Sequence, residues 1–375
     1  MLPFYQSLSS SKKYDFTFLF YNRRNVPLPS VTNNKDSDLK KFEKIYKEKE
    51  LKINFQFISN SYTDTYGIKS FYFNPKIFFM KKNFDLVIVS DNLKFPDIFF
   101  RIYCKINSIP LVIWSETTHG SFYSLGFFHR LLKKVIINNS RNFINQSQES
   151  YLFNRKINQK RGNYFLVPYH ANTLTFKKLK SRSHNVLKKR LGLKGTVICS
   201  VGKLEHRKGY DLLLRSIKRF NLNKTVSVLI IGEGNARLLL ESMANSYKIN
   251  LSLPGLVKND NLHKFFSISD IFVFPTNHDN WGFALSESII FGLPVIASSG
   301  CCAAHHLIEH GKSGFIFKKG NVGQLGRFLK KLLNSKKLRS NFRVNGFKSI
   351  KRLSVIKVRS AFLNSLDSVL SKKNR

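Results

Sequence analysis

"PTNHDNWGFALSESIIFGLPVIAS" (275–298) reads as the end of one strand, a polar loop, a helix and the next strand. The strand 270–276 empties into a polar loop holding His278, Asp279 and Trp281, and a helix begins near Gly282 and Phe283. Gly292 closes that helix, as glycine does after a last helical turn, and "LPVIAS" (293–298) returns to strand. Repeated strand–helix–strand units of this kind build a parallel sheet covered by helices. Asp279 lies on the loop and Glu287 in the first two turns of the helix. Both carboxylates are therefore expected to face the carboxyl ends of the strands, where such sheets bind ligands. Competing readings are favourable placement near the helix dipole for Glu287 and core packing for Trp281.

Outward from this unit the pattern repeats. In "VGKLEHRKGYDLLL" (201–214) a strand ends at Gly202, a loop carries Lys203, Arg207 and Lys208, and Gly209 opens a helix. Basic side chains before a helix N-terminus suit a phosphate; the alternative is a solvated basic loop. "IIGEGN" (230–235) is a Gly-x-Gly turn after a strand, and "INLSLPG" (249–255) and "DIFVFPT" (270–276) are further strands. Between them a short helix is expected, capped by Asn259 or Asp260. The first half carries its own strand series at 14–21, 53–59, 84–90, 109–114 and 142–147, short apolar runs between helical segments. "NYFLVPYHAN" (163–172) is read as the end of the first domain and the start of a linker. The fold class is thus α/β, with two Rossmann-like domains, 1–170 and 171–355, facing each other across a cleft. A C-terminal helix over 356–375 is expected to cross back to the first domain.

The 375 residues carry a formal net charge of +41, which attracts polyanions. No zinc-finger, basic-zipper or aromatic RNA-recognition signature accompanies the charge, so nucleic acid is not an expected partner. No apolar run approaches the roughly 18–20 residues that span a bilayer, and the start does not have the pattern of a secretory signal. A cytoplasmic location is expected, with an anionic membrane surface as a partner. "GFFHRLLKKVIINNSR" (126–141) has the composition of an interfacial helix or of an amphipathic helix packed on a sheet. "SGCCAAHHLIEHGKSG" (299–314) has the composition of a zinc site. Adjacent Cys301 and Cys302 point apart more readily than together, so the pair reads instead as filler at a tight turn. The helix beyond that turn is expected to end at Gly311.

Residues 196–317 strongly resemble the C-terminal domain of family 4 glycosyltransferases, the retaining, two-domain GT-B type. In that family a strand is followed by Gly-basic-Leu-x-x-x-Lys-Gly, and this chain places Gly202, Lys203, Leu204, Lys208 and Gly209 in that register. The family's Glu-x7-Glu pair reads Asp279-x7-Glu287 here, with Trp281-Gly282 between. The resemblance implies that Lys203 and Lys208 hold a donor diphosphate, that Asp279 contacts the transferred sugar, and that Glu287 contacts the ribose. It also implies that Phe283, Ala284, Leu285 and Ser286 offer backbone N–H groups to the phosphates. Gly232 of the Gly-x-Gly turn and Val257, in the stretch 255–258 that faces the base, complete the expected donor contacts. The usual first basic residue, an arginine, is Lys203 here, which keeps the charge and loses the fork of donors.

The first half resembles the family more loosely. Glu116 occupies the register of a family histidine near the reactive carbon, and His119 lies three residues on. Either can be the acceptor-side catalytic group. The opening "LPFYQSLSSSKKYDFTFLF" resembles the family's segment just after its first strand and Gly-rich loop. The implied activity is sugar transfer, with retention, from a nucleotide-diphosphate-sugar to a glycan or lipid-linked acceptor in cell-surface polysaccharide synthesis. No cofactor is implied and no metal. The rival reading is a nucleotide-sugar-binding GT-B protein without catalysis.

Overall fold

The computed structural model describes residues 84–91, 95–171 and 181–371, with residues 4, 7–8, 11, 13–16, 18–20 and 55–57. Two units divide the chain: Met1–His170 with Val355–Arg375, and Ala171–Ser354.

In the first unit β1 (Phe18–Phe20) pairs in parallel with β2 (Phe55–Phe57). Of the strands expected at 14–21 and 53–59, residues 17, 21, 53–54 and 58–59 lie outside the described residues. The main sheet has β3 (Val87–Ser90), β4 (Leu111–Ser115), β5 (Asn142–Asn145) and β6 (Asn163–Leu166) in that order, all parallel. Helices α1 (Phe95–Ile106), α2 (His119–Tyr123), α3 (Phe127–Asn138) and α4 (Gln148–Ile157) make the crossovers. Ile113, Phe122, Ile137, Phe143 and Phe153 form one core between sheet and helices.

The stretch 163–172, read as the end of the first domain and the start of a linker, begins as a strand of the first unit. Tyr164 stacks on Phe143 with ring centroids 5.1 Å apart, and the Asn163 amide donates to Asn142 Oδ1 at 2.9 Å. Those cross-strand contacts favour pairing over an open connection.

The second unit runs α5 (Ser181–Arg190), β7 (Thr196–Val201), α6 (Tyr210–Arg219), β8 (Val226–Ile231), α7 (Arg237–Tyr247) and β9 (Asn250–Ser252). It continues with α8 (Asn259–Ser267), β10 (Ile271–Phe274), α9 (Phe283–Ile290), β11 (Val295–Ser298), α10 (Cys302–Leu307) and β12 (Phe315–Phe317). Helices α11 (Val322–Asn334) and α12 (Lys336–Ile350) complete it. Its six strands are parallel and ordered β12-β11-β10-β7-β8-β9. Strands β7, β8, β10 and β11 are apolar throughout their centres and buried, as strands covered on both faces must be. The last helix, α13 (Val355–Ser371), belongs to the first unit, where Phe362 packs against Phe4 and Trp114.

Two helix boundaries differ from expectation. Helix α8 starts after Lys258 with no side-chain cap, so neither Asn259 nor Asp260 serves as its N-cap. Helix α10 stops at Leu307, because Ile308 turns to extended backbone and His310 bridges to Gly314. Gly311 sits inside that reversal with φ of 79° rather than at the helix end.

A β-carbon on Gly232 would lie 2.0 Å from the Gly202 carbonyl oxygen, whereas one on Gly292 would meet nothing within 4 Å. Gly232→Ala is therefore expected to cost about 3 kcal/mol by overpacking. Gly292→Ala should cost only about 1 kcal/mol for its left-handed backbone. Urea denaturation midpoints of the two variants check the difference.

Candidate functional site

The order of the second sheet reverses between β7 and β10. From β7 the chain builds outward to β9, then returns to lay β10 on the other side of β7. Ile271 pairs with Ile198 and Phe272 with Cys199. The loops leaving these two strands therefore open side by side, at the topological switch point where open α/β sheets bind ligands.

The loop after β7 is held by its backbone. The Gly202 N–H donates to the Ile231 carbonyl at 2.9 Å and the Leu204 N–H to the Glu233 carbonyl at 2.8 Å. Gly234, like Gly232, allows no side chain, since its β-carbon would fall 2.2 Å from the Leu204 carbonyl oxygen. The Gly-x-Gly turn is thus a close approach of two loops. A 3₁₀ turn over His206–Lys208 comes next, and Gly209, at φ 66°, starts α6. Gly202, Lys203, Gly232 and Val257 share one cavity of about 580 Å³, with Glu233 and Leu256 on its wall.

Lys208 connects that cavity to the loop after β10. A β-carbon on Gly202 would lie 3.7 Å from the Lys208 ammonium nitrogen. The same nitrogen is 2.5 Å from Asp279 Oδ2, and both side chains are largely buried. Arg207, which the motif does not mark as a site residue, reaches Asp279 Oδ2 at 3.7 Å, Glu205 at 2.7 Å and the His278 carbonyl at 3.0 Å. Its position is hidden in the sequence because it depends on Thr276 and Asn277, which donate to the Arg207 carbonyl at 3.0 and 2.7 Å. Lys203 is the most exposed member of the cationic group, 3.6 Å from Glu205.

Asp279 is fixed from behind by the cysteine turn. Its N–H donates to the Gly300 carbonyl at 2.9 Å, and its carbonyl accepts from Cys302 at 3.1 Å. The Cys301 thiol donates to the Trp281 carbonyl at 3.0 Å, and burial pushes that thiol up to about 12. Trp281 is buried and lies 5.5 Å from the His306 ring, whose own pKa burial lowers to about 4. Gly282 opens α9 at φ 93°, and a β-carbon there would strike Cys301 Sγ at 2.7 Å. Phe283 and Ala284 form the first turn of α9. The Leu285 N–H already donates to the Gly282 carbonyl at 2.9 Å, and its side chain is buried. Glu287, one turn further on, is half-buried, and desolvation raises its pKa to about 7.

Glu116 and His119 lie in the first unit, on the loop after β4 and at the start of α2. Buried Asp91 organises that loop. Its Oδ2 accepts from Ser115 Oγ at 2.5 Å, from the Glu116 and Thr117 amides at 3.1 and 3.0 Å, and from the Thr117 hydroxyl. Lys133 Nζ stands 3.9 Å from its other oxygen. The Tyr169 hydroxyl donates to Glu116 Oε1. Burial first, and then the Asp91 charge, raise the Glu116 pKa to about 7. His119 is exposed and packs on Tyr123 at 4.5 Å. Asp91, Lys133 and Tyr169 escape a sequence reading because no local motif marks them. Among the described residues no group of three or more His, Cys, Asp or Glu is placed to hold a metal ion.

Residues 183–349 match the family model of the group 1 glycosyl transferases. Curated relatives include an uncharacterized glycosyltransferase of Haemophilus influenzae, 25% identical over 150 residues, which are 39% of this chain and 42% of that one. Another is the capsular polysaccharide biosynthesis glycosyltransferase CapM of Staphylococcus aureus, 26% identical over 177 residues, 46% of this chain and 44% of that one. The chain spans less than half the length of these relatives. The crystal structure of Anabaena HepE in complex with UDP and glucose superposes with a TM-score of 0.72 at 14% identity, covering 94% of this chain and 99% of that one. The fold is GT-B, with two Rossmann-like units.

Glu287 binds a proton in the folded chain between its ordinary value of 4.5 and about 7. The unfolded chain has released that proton, so stability falls as pH rises through this window. Glu287→Gln is expected to raise the melting temperature at pH 8 and to leave it unchanged at pH 4, read by thermal unfolding at both pH values.

Proposed function

We propose that this chain transfers a sugar from a nucleotide-diphosphate-sugar to a glycan or lipid-linked acceptor. The observation that carries the reading is the placement of Lys208 between Gly202 and Asp279 at the sheet's switch point. It joins a cavity large enough for a nucleotide to a cluster of three cations and two carboxylates, Glu205 and Asp279. The match of residues 183–349 to group 1 glycosyl transferases supports it, as does the HepE complex with UDP and glucose.

In this reading the base and ribose occupy the cavity beside Gly232 and Val257, and Glu287 accepts from the ribose diol. Lys203, Arg207 and Lys208 meet the diphosphate together with the first turn of α9. Lys208 then exchanges the Asp279 carboxylate for phosphate oxygens, and Asp279 turns to the hydroxyls of the transferred sugar. Fixed cations aimed at the departing diphosphate stabilise charge as it develops. These cations do the work that a divalent metal does elsewhere, so activity is expected to persist in EDTA. Retention at the anomeric carbon and the family 4 assignment rest on the motif resemblance. In the first unit Glu116 suits the acceptor-side group better than His119, because it is half-buried, oriented by Tyr169 and raised to about 7. We assign the reaction to the cytoplasmic side of a membrane, in surface polysaccharide synthesis.

A panel of UDP-, GDP- and ADP-sugars is expected to give one clear rise in melting temperature, lost in Lys208→Ala. Turnover of the stabilising donor should fall about 100-fold in Lys208→Ala, the loss of one charged donor to a developing anion. Asp279→Ala should lose turnover while keeping most of the thermal shift. Equal turnover in wild type and both variants would contradict catalysis at this site.

A further inference from the structure

Helix α3 presents most of its apolar residues to solvent. Phe127 is 67% exposed and Phe128 80%, and Leu131, Leu132 and Val135 are exposed with them. At about 100° per residue these five positions occupy one arc of roughly 140°. Arg130 and Lys134 border that arc on one side and His129 on the other. The inward side of the helix is settled by other contacts. Ile137 is buried, Lys133 points to Asp91 at 3.9 Å, and the Asn158 amide donates to the Ile137 carbonyl. The amphipathic helix is thus seated through a buried lysine, with its apolar arc outward, the reverse of packing an apolar side on the sheet.

We propose that this face of the first unit docks on an anionic lipid bilayer. Phe127, Phe128 and Leu131 would enter the interface between headgroups and acyl chains, while Arg130 and Lys134 meet lipid phosphates. Charge complementarity selects this occupant. No Asp or Glu occurs between Glu116 and Glu149, whereas His119, His129, Arg130, Lys133, Lys134 and Arg141 do. The chain as a whole carries a formal charge of +41. A protruding apolar ridge edged by cations fits a soft, negatively charged plane. Exposed apolar patches of this kind mark interaction surfaces. The inference does not depend on the reaction proposed above, since it uses no residue of the second unit.

Co-sedimentation of the full chain with phosphatidylcholine vesicles, with and without phosphatidylglycerol, tests it. The wild type is expected to pellet with the phosphatidylglycerol vesicles and to remain in solution with phosphatidylcholine alone. The double variant Phe127→Ser, Phe128→Ser should bind at least about tenfold more weakly, and Lys134→Glu about tenfold more weakly. Both alter exposed side chains, so melting temperature and the shift caused by nucleotide-sugars should stay as in wild type. Wild type that ignores phosphatidylglycerol vesicles would overturn the proposal, as would variants that pellet like wild type. So would a wild-type dimer made monomeric by the phenylalanine substitutions, which would assign the face to a second copy of the chain. None of these results would touch the donor site, whose thermal shift is read separately.

Discussion

The parallel pairing of β7 with β10 is the constraint on which the candidate site depends. Lys208 and Asp279 stand 71 positions apart in the chain, yet this pairing opens their loops beside each other. Neither loop makes a site alone. The β7 loop supplies Lys203, Arg207 and Lys208 with Glu205 among them, and the β10 loop supplies Asp279 and a helix start. A largely buried ion pair is costly to strip of one partner, so each loop holds the other's charge.

Close backbone approach, more than side-chain packing, sets the precision of this arrangement. Gly232 and Gly234 touch the carbonyls of Gly202 and Leu204, and Gly282 lies against Cys301 and the Phe274 ring. The turn at 299–303 is the back wall of the β10 loop. Its two cysteines, with His306 just beyond it, serve as packing and hydrogen-bonding groups behind Asp279 and Trp281. Both cysteines are buried, one thiol is occupied by a carbonyl, and a thiol raised to about 12 is a poor source of thiolate.

Much of this is legible in the sequence, for identifiable reasons. Strands covered on both faces read as continuous apolar runs, so β7, β8, β10 and β11 stand out, and the register of Lys208 with Asp279-x7-Glu287 marks the loops. The hidden part depends on distant contacts. The strand Asn163–Leu166 is held by Phe143 and Asn142, not by its own composition. The role of Arg207 comes from the β10 loop beside it. Asp91 carries no motif, although it accepts four hydrogen bonds that shape the loop around Glu116. The helix Phe127–Asn138 reads as amphipathic, but which side faces the protein is decided by Lys133 meeting Asp91, a contact that periodicity cannot supply.

The exchange of Lys208 from Asp279 to diphosphate is the central claim, and calorimetric titration of a nucleoside diphosphate isolates it, because no sugar is present to engage Asp279. With whichever of UDP, GDP and ADP binds most tightly, Asp279→Asn should bind at least as tightly as wild type, since its Lys208 is already released. Lys208→Ala should bind about tenfold or more weakly, the loss of one charged hydrogen bond. Equal weakening in both variants, or no change in Lys208→Ala, would contradict the account.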